Sequence, residues 1–517
     1  MERGPNSPEV SAENAVAPSQ VPEDLDRAAT GIEGLDALLQ GGLLRNRAHL
    51  IQGDPGSGKT TLGLHFCISG AVQGERVLYL TTCETEQEIR HVARTHGWPL
   101  DGVTIHYHDA REMFGEELQQ SVFHSAEVEL PKTIEAVLAI IDRVDPQRLV
   151  IDSLSEIRLL AGDPRWFRRQ VLALKENLAR RHCTTLFCDD RLEPDQPVHS
   201  IVHGVVELEQ LAPDYGPDRR RLRVAKMRAQ SVSSGYHDFK IRTGGIVVFP
   251  RLIAAEHLAQ FEAETIPSGV PELDALFGGG ADRGTATLLL GPAGTGKSTV
   301  VSQFAVAAAG RGERTAMYIF DERIQTLLRR ARGLGIDLES QVDAGLVEIQ
   351  QIDPAELSPG EFSQSVRRAV MDGGVRLVVL DSLSGYVHAM PDERSLSLLL
   401  HELLSYLSQQ GVSVLMVMAQ HGLPGTAHQT HFDLSYIADS VLLFHTFEYA
   451  GDLRKAISVY KRRGGAHERT LRELQFGRDG IQIGAPLRQF HGLLTGLPTF
   501  SGEELPDVRE AAQHESG

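Results

Sequence analysis

The amino-acid sequence predicts an α/β chain of two tandem domains, each a mainly parallel sheet flanked by helices. Three observations carry that prediction. The chain repeats itself: "TGIEGLDALLQGGLLRNRAHLIQGDPGSGKTTLGLHF" from Thr30 matches "SGVPELDALFGGGADRGTATLLLGPAGTGKSTVVSQF" from Ser268. Short, nearly continuous apolar runs alternate with stretches of helical periodicity, the pattern of strands buried on both faces. At 517 residues the chain is also too long for a single core.

Taken in order, residues 1–24 are rich in Pro, Ser, Ala and Glu and read as a disordered tail. The first domain spans 25–250. In it "AHLIQG" is a strand leading into a glycine-rich loop, "TTLGLHFCISGAV" a helix, "RVLYLTT" a strand and "TEQEIRHVARTHG" a helix. The stretch "TIEAVLAIIDRV" sets Ile134, Val137, Leu138 and Ile141 at helical spacing, and "RLVID" is the next buried strand. A linker at 251–266 joins the second domain, 267–490, and a tail follows at 491–517. There "LVVLDSLSGY" (377–386) answers "RLVIDSLSEI" (148–157), and "ISVYKRR" (457–463) answers "LRVAKMR" (222–228).

Each copy places GxxxxGK[ST] between a strand and a helix, where backbone N–H groups and a helix N-terminus cradle a triphosphate. The predicted phosphate cradles are Gly53, Asp54, Pro55, Gly56, Ser57, Gly58, Lys59, Thr60 and Thr61, and Gly291, Pro292, Ala293, Gly294, Thr295, Gly296, Lys297, Ser298 and Thr299. Lys59 and Lys297 reach the β- and γ-phosphates of ATP; Thr60 and Ser298 are Mg²⁺ ligands. Asp152 and Asp381 end apolar strands, where a carboxylate holds the metal or its water shell. After the second strand, "TTCETEQEI" and "IFDERIQTL" offer Glu84, Asp321 and Glu322 as bases toward an attacking water. Lys226 with Arg228, and Lys461 with Arg463, alternate along strands and so face one side, as a γ-phosphate sensor and an arginine finger. The plain structural alternatives are turn or helix-terminal acids and a solvated basic strand face.

Composition narrows the function classes. Net charge is −18, and both halves are acidic, with 28 Lys+Arg against 36 Asp+Glu in 1–250 and 23 against 33 in 251–517. Neither half carries the basic footprint of a nucleic-acid binder. The run "DRRRL" (218–222) reads as an exposed loop. No apolar stretch reaches the roughly 18 residues of a membrane span, and the N-terminal residues lack the basic start and apolar core of a signal peptide. The four cysteines, at 67, 83, 183 and 188, form no CxxC pair; Cys183 and Cys188 read as packing residues and the compartment as cytoplasmic. None of the 21 histidines has convincing metal spacing.

With both loops, "DSLS" twice, "KMR", "KRRGGAHERTLRE" and "LTGLPTF", the chain resembles the KaiC family of RecA-like ATPases and autokinases over about 30–500. The resemblance implies ATP bound between subunits of a homo-oligomeric, hexameric ring, slow hydrolysis in the first domain and self-phosphorylation in the second. The family's paired catalytic glutamates fall on Cys83 and Glu84, and on Asp321 and Glu322. The residues that meet the neighbour's γ-phosphate fall on Lys226 and Arg228, and on Lys461 and Arg463. The adjacent phosphoacceptors fall on Ser435 and Tyr436, serine kept and threonine replaced. Two other functions share the same core: a DNA-recombination ATPase, marked by salt-sensitive DNA binding, and a nucleotide-gated signalling scaffold with little turnover.

Overall fold

The computed structural model describes residues 26–108, 126–191, 198–212, 216–254, 259–353, 355–388, 393–419, 436–493 and 499–501. Two compact units divide the chain: Met1–Leu208 with Arg223–Ser234 and Ile241–Val247, and Glu209–Leu222 with Gly235–Lys240 and Val248–Gly517. The predicted α/β class is what the chain forms, as two nine-stranded, mostly parallel sheets flanked by helices. Across the first sheet the order is Gly245–Phe249, His237–Arg242, Arg219–Met227, Gly204–Leu211, Ala48–Gly53, Thr184–Asp189, Arg148–Asp152, Val77–Thr81, Val103–Tyr107. The second repeats it: Gly480–Pro486, Arg472–Gly477, Asp452–Arg462, Ser440–Tyr449, Ala286–Gly291, Ser413–Ala419, Val375–Asp381, Arg314–Ile319, Val347–Gln351.

In each sheet the loop strand lies between two parallel neighbours, so their carboxyl ends open on one side. Full burial of these strands follows from their composition. In the second sheet Val378 and Leu380 pack into one core cluster while Leu377 and Val379 pack into another, alternate residues serving opposite faces. The helices after the loops, Lys59–Val72 and Lys297–Gly310, start at Gly58 and Gly296, both in the left-handed region that glycine enters without steric cost. Helix Glu86–Thr95 starts at Thr85, which forms a capping box with Glu88. All four cysteines are free thiols, and Cys67, Cys183 and Cys188 are buried.

The run at 218–222 is not a loop. Arg219–Met227 is a strand, and its arginines are neutralised across the ladder, Arg221 by Glu209 at 2.8 Å and Arg223 by Glu207 at 2.6 Å. Alternating charge that reads as a solvated loop is here a pair of facing strand edges.

Each half also carries an acid–arginine–acid chain beneath its first strand. In the first, Arg45 joins Asp26 (2.9 Å) to Glu75 (2.8 Å), and fully buried Arg148 adds a second guanidinium on Glu75 at 2.8 Å. Arg148 also donates to the carbonyls of Ala29 and Phe66 and to the Gln73 side chain. In the second, Arg283 joins Glu264 to Glu313, and Arg311 supplies the second cation at 3.1 Å. Burial pushes the Glu75 carboxyl up, but hydrogen bonds and charge from Arg148 and Arg45 outweigh it and hold the pKa at about 2.

Arg148→Leu, the residue of the second half at this register, is expected to cost about 3–5 kcal/mol because Glu75 is left partly uncompensated. Gln73→Arg added to it should restore part of that loss. Urea unfolding of the single and double variants checks both. Because Glu75 is depressed, its contribution is present above pH about 4.5 and fades as pH falls toward 2. The Arg148→Leu protein should lose most of that slope.

Candidate nucleotide-binding sites

The first loop is a tight turn that only glycine fits at several positions. A Cβ on Gly53 would overlap the Leu208 carbonyl, and Gly56 and Gly58 have φ of +81° and +105°. The turn tucks the Lys59 ammonium beneath itself, where it donates to the carbonyls of Gly53 (2.7 Å) and Asp54 (3.1 Å) and pairs with Asp190 at 3.0 Å. Burial opposes ionisation of Asp190, but hydrogen bonds from Lys59 and Ser155 outweigh it and hold the carboxyl below its ordinary value.

One helical position on, Thr60 Oγ1 donates to Asp152 Oδ2 at 2.7 Å, and the buried Tyr79 hydroxyl donates to the same oxygen at 2.6 Å. The loop helix and the strand-end carboxylate are thus joined directly. Glu84 follows the next strand, where the Thr81 side chain bonds both its N–H (3.1 Å) and its carbonyl (2.9 Å). Its Oε2 is buried without a hydrogen-bond partner among the described residues. Burial, then the charges of Asp152 and Glu88, raise its pKa. Cys83 is exposed, with Sγ 3.8 Å from Ser153 Oγ.

The second loop lines a cavity of 440 Å³ that gathers Lys297, Ser298, Asp321, Glu322 and Asp381 on one wall system. Lys297 donates to the carbonyls of Gly291 (2.8 Å) and Pro292 (2.7 Å). Burial lowers its pKa to about 8, partly offset by Asp381. Burial raises Asp381 in turn, against a hydrogen bond from Ser298. Asp321 accepts from the Ser382 hydroxyl at 2.5 Å, and Glu322 pairs with Arg330 at 2.6 Å. Arg330, Lys455 and Phe476 also line this cavity and were not anticipated from sequence. Phe476 closes over Gly296, where any Cβ would strike the ring, and Lys455 lies 5.0 Å from the ring centre. Asp190 is the comparable omission in the first half. Its signal was its place directly after an apolar strand beside the loop strand.

The basic pairs are not gathered with their own loops. Lys226 donates to the carbonyls of His199 and Val202, and Arg228 to that of Ser200, beside the start of the loop strand, where His203 N–H bonds Ala48 O. Lys461 donates to Ala438 O at 2.7 Å, while Arg463 pairs with Asp439 at 3.2 Å and donates to Tyr436 O at 2.8 Å. Ser435 lies outside the described residues.

A family model for the KaiC ATPase matches this chain twice, at residues 28–253 and 266–488. The chain belongs to the KaiC ATPase family. Among similar curated proteins, the circadian clock protein KaiC3 of Synechocystis is 27% identical over 497 residues, 94% of this chain and 97% of its own length. The circadian clock oscillator proteins KaiC of Synechococcus elongatus and Acaryochloris marina are 28% and 26% identical, over 91% and 96% of this chain and 91% and 95% of their own lengths. Duplicated ATP-binding ATPase domains are thus the family's property and this chain's. Among the described residues no helix is long and apolar enough to cross a membrane.

The two KaiC domains differ behind the strand-end carboxylate. Tyr79 is level with Val150 and Met317 with Val379, so the second half has a methionine where the first has a hydroxyl donor. Tyr79→Phe is expected to destabilise the first half by about 1.5–3 kcal/mol, the range for a hydrogen bond to a charged group. Met317→Leu, a volume-conserving change, should cost less than about 1.5 kcal/mol. Thermal unfolding of the two variants compares them.

Proposed function

We propose that this KaiC-family ATPase works as a cytoplasmic homo-oligomeric ring, hexameric as the family resemblance implies, with ATP·Mg²⁺ at both loops and a signalling or clock-type regulatory role. The observation that carries the ring is the position of the basic pairs. Lys461 is paired with Val441, and Val441 with Leu288, three positions before the loop strand ends at Gly291. That sets it roughly 10 Å back along the strands from its own phosphate site. A cation so placed serves a neighbouring subunit's triphosphate, and head-to-tail contacts of this kind close into rings.

The donors at each loop fit Mg²⁺. It takes few protein oxygens and keeps waters and phosphate oxygens for the rest, which one hydroxyl and one carboxylate supply: Thr60 with Asp152, Ser298 with Asp381. When bound, the ion neutralises charge on the phosphates. In the first domain Glu84 is the base. Water attacks the γ-phosphorus, the bond to the β-phosphate oxygen breaks, and the water's proton passes to the carboxylate; a raised pKa suits that task near neutral pH. Cys83, at the neighbouring position, carries a thiol in place of a carboxylate and does not offer the same oxygen base. In the second domain Asp321 with Glu322 takes the proton of an acceptor hydroxyl, and Ser435 is the acceptor.

Native mass spectrometry with and without ATP tests the ring. Lys59→Ala and the pair Lys226→Ala with Arg228→Ala should each shift the population toward smaller species, and an unaltered subunit count in all of them overturns it. For the chemistry, Glu84→Gln in a Lys297→Ala background should reduce phosphate release at least about 100-fold while nucleotide stays bound. Peptide mass analysis after incubation with ATP·Mg²⁺ should find phosphate on Ser435 that vanishes in Lys297→Ala and persists in Lys59→Ala. Its absence throughout 430–440 leaves an ATPase and removes the kinase.

A further inference from the structure

Both loop lysines are held by strand-end carbonyls, but Lys59 also has a positioned carboxylate on it. Asp190 Oδ1 stands 3.0 Å from Lys59 Nζ, and its other oxygen accepts from Ser155 Oγ at 2.8 Å. Its chain neighbour Asp189 is buried in an ion pair with Arg158. The carboxylate is therefore built into the end of its strand.

Register identifies its counterpart in the second half. Asp152 is level with Cys188 and Asp381 with Val417, so two positions on, Asp190 answers to Ala419. Ser384, which answers to Ser155, is used differently: its hydroxyl accepts the Ala419 N–H at 3.0 Å. The same serine that braces an anion beside the first lysine braces plain backbone beside the second.

We propose that Asp190 tunes the nucleotide affinity of the first loop: its carboxylate competes with the terminal phosphates of ATP for the Lys59 ammonium, a competition that the second loop does not have. A phosphate that takes Lys59 must displace a like-charged group from contact distance, and no such displacement is asked at Ala419. Asp190 is about a third exposed (38% of its side chain), which leaves it room to turn outward. Its direct pairing with an ammonium makes it a poor proton acceptor, so its part is in affinity and not in the proton transfer assigned to Glu84.

The inference rests on Lys59 being a nucleotide-binding lysine, and the test separates the two. The full chain carrying Lys297→Ala is titrated calorimetrically with Mg²⁺ and β,γ-imido-ATP, so that the first loop alone reports. Asp190→Asn, which keeps the shape and removes the charge, should tighten binding by about three- to tenfold. Asp190→Glu should leave it nearly unchanged. In a Lys59→Ala background, Ala419→Asp should weaken the second loop by a similar factor. If Lys59→Ala abolishes the binding that remains in Lys297→Ala, the loop reading stands; unchanged or weaker affinity in Asp190→Asn then overturns the proposal. If Lys59→Ala leaves that binding intact, the loop reading fails and the proposal with it.

Discussion

A buried ammonium tucked beneath a glycine-rich turn is the charge around which each half is arranged. It must be kept under a turn of backbone without being left bare, and the carbonyls of Gly53 and Asp54, and of Gly291 and Pro292, meet that need. Those carbonyls converge because a parallel sheet ends there. The same ending brings Asp152 and Asp381 to the level of the loop helix, and sends Lys226 and Lys461 to the far end, since an antiparallel or returning strand passes the loop strand in the opposite sense. The separation of each basic pair from its own loop is thus a property of the topology and not of a local sequence choice.

The parallel core and both loops were legible in the sequence because their causes are local. "RLVID" is a strand since all five of its residues are buried, Arg148 among them, and Gly56, Gly58, Gly294 and Gly296 sit where φ is positive. Direct contacts of Thr60 with Asp152 and of Ser298 with Asp381 follow from the same local pattern once the strands are parallel. What was not legible depends on pairing between distant segments. Residues 218–222 read as a loop because Glu207 and Glu209, which neutralise its arginines, come from another strand. Phe476 and Lys455 reach the second cavity from the antiparallel extension, and nothing in either local segment marks them.

The two copies share a frame and differ in what surrounds it. At the first carboxylate a tyrosine hydroxyl takes a lone pair, and at the first lysine an aspartate supplies countercharge. The second lysine is lowered by its burial, and an aromatic ring closes over the loop glycine. The two loops thus keep one backbone frame and differ in the charged and aromatic groups set around it.

The acid–arginine–acid chains bear on how the repeats should be compared. Asp26–Arg45–Glu75 and Glu264–Arg283–Glu313 coincide position for position, yet the second guanidinium on each glutamate arrives by a different route, from strand residue Arg148 in one and from Arg311, the counterpart of Gln73, in the other. Column by column, an arginine facing Leu377 looks like a drastic loss and a glutamine facing Arg311 like surface drift. They are one compensated exchange, in which the same charge reaches the glutamate from a different site. Similarity scored by column understates how much physics the two repeats have kept in common.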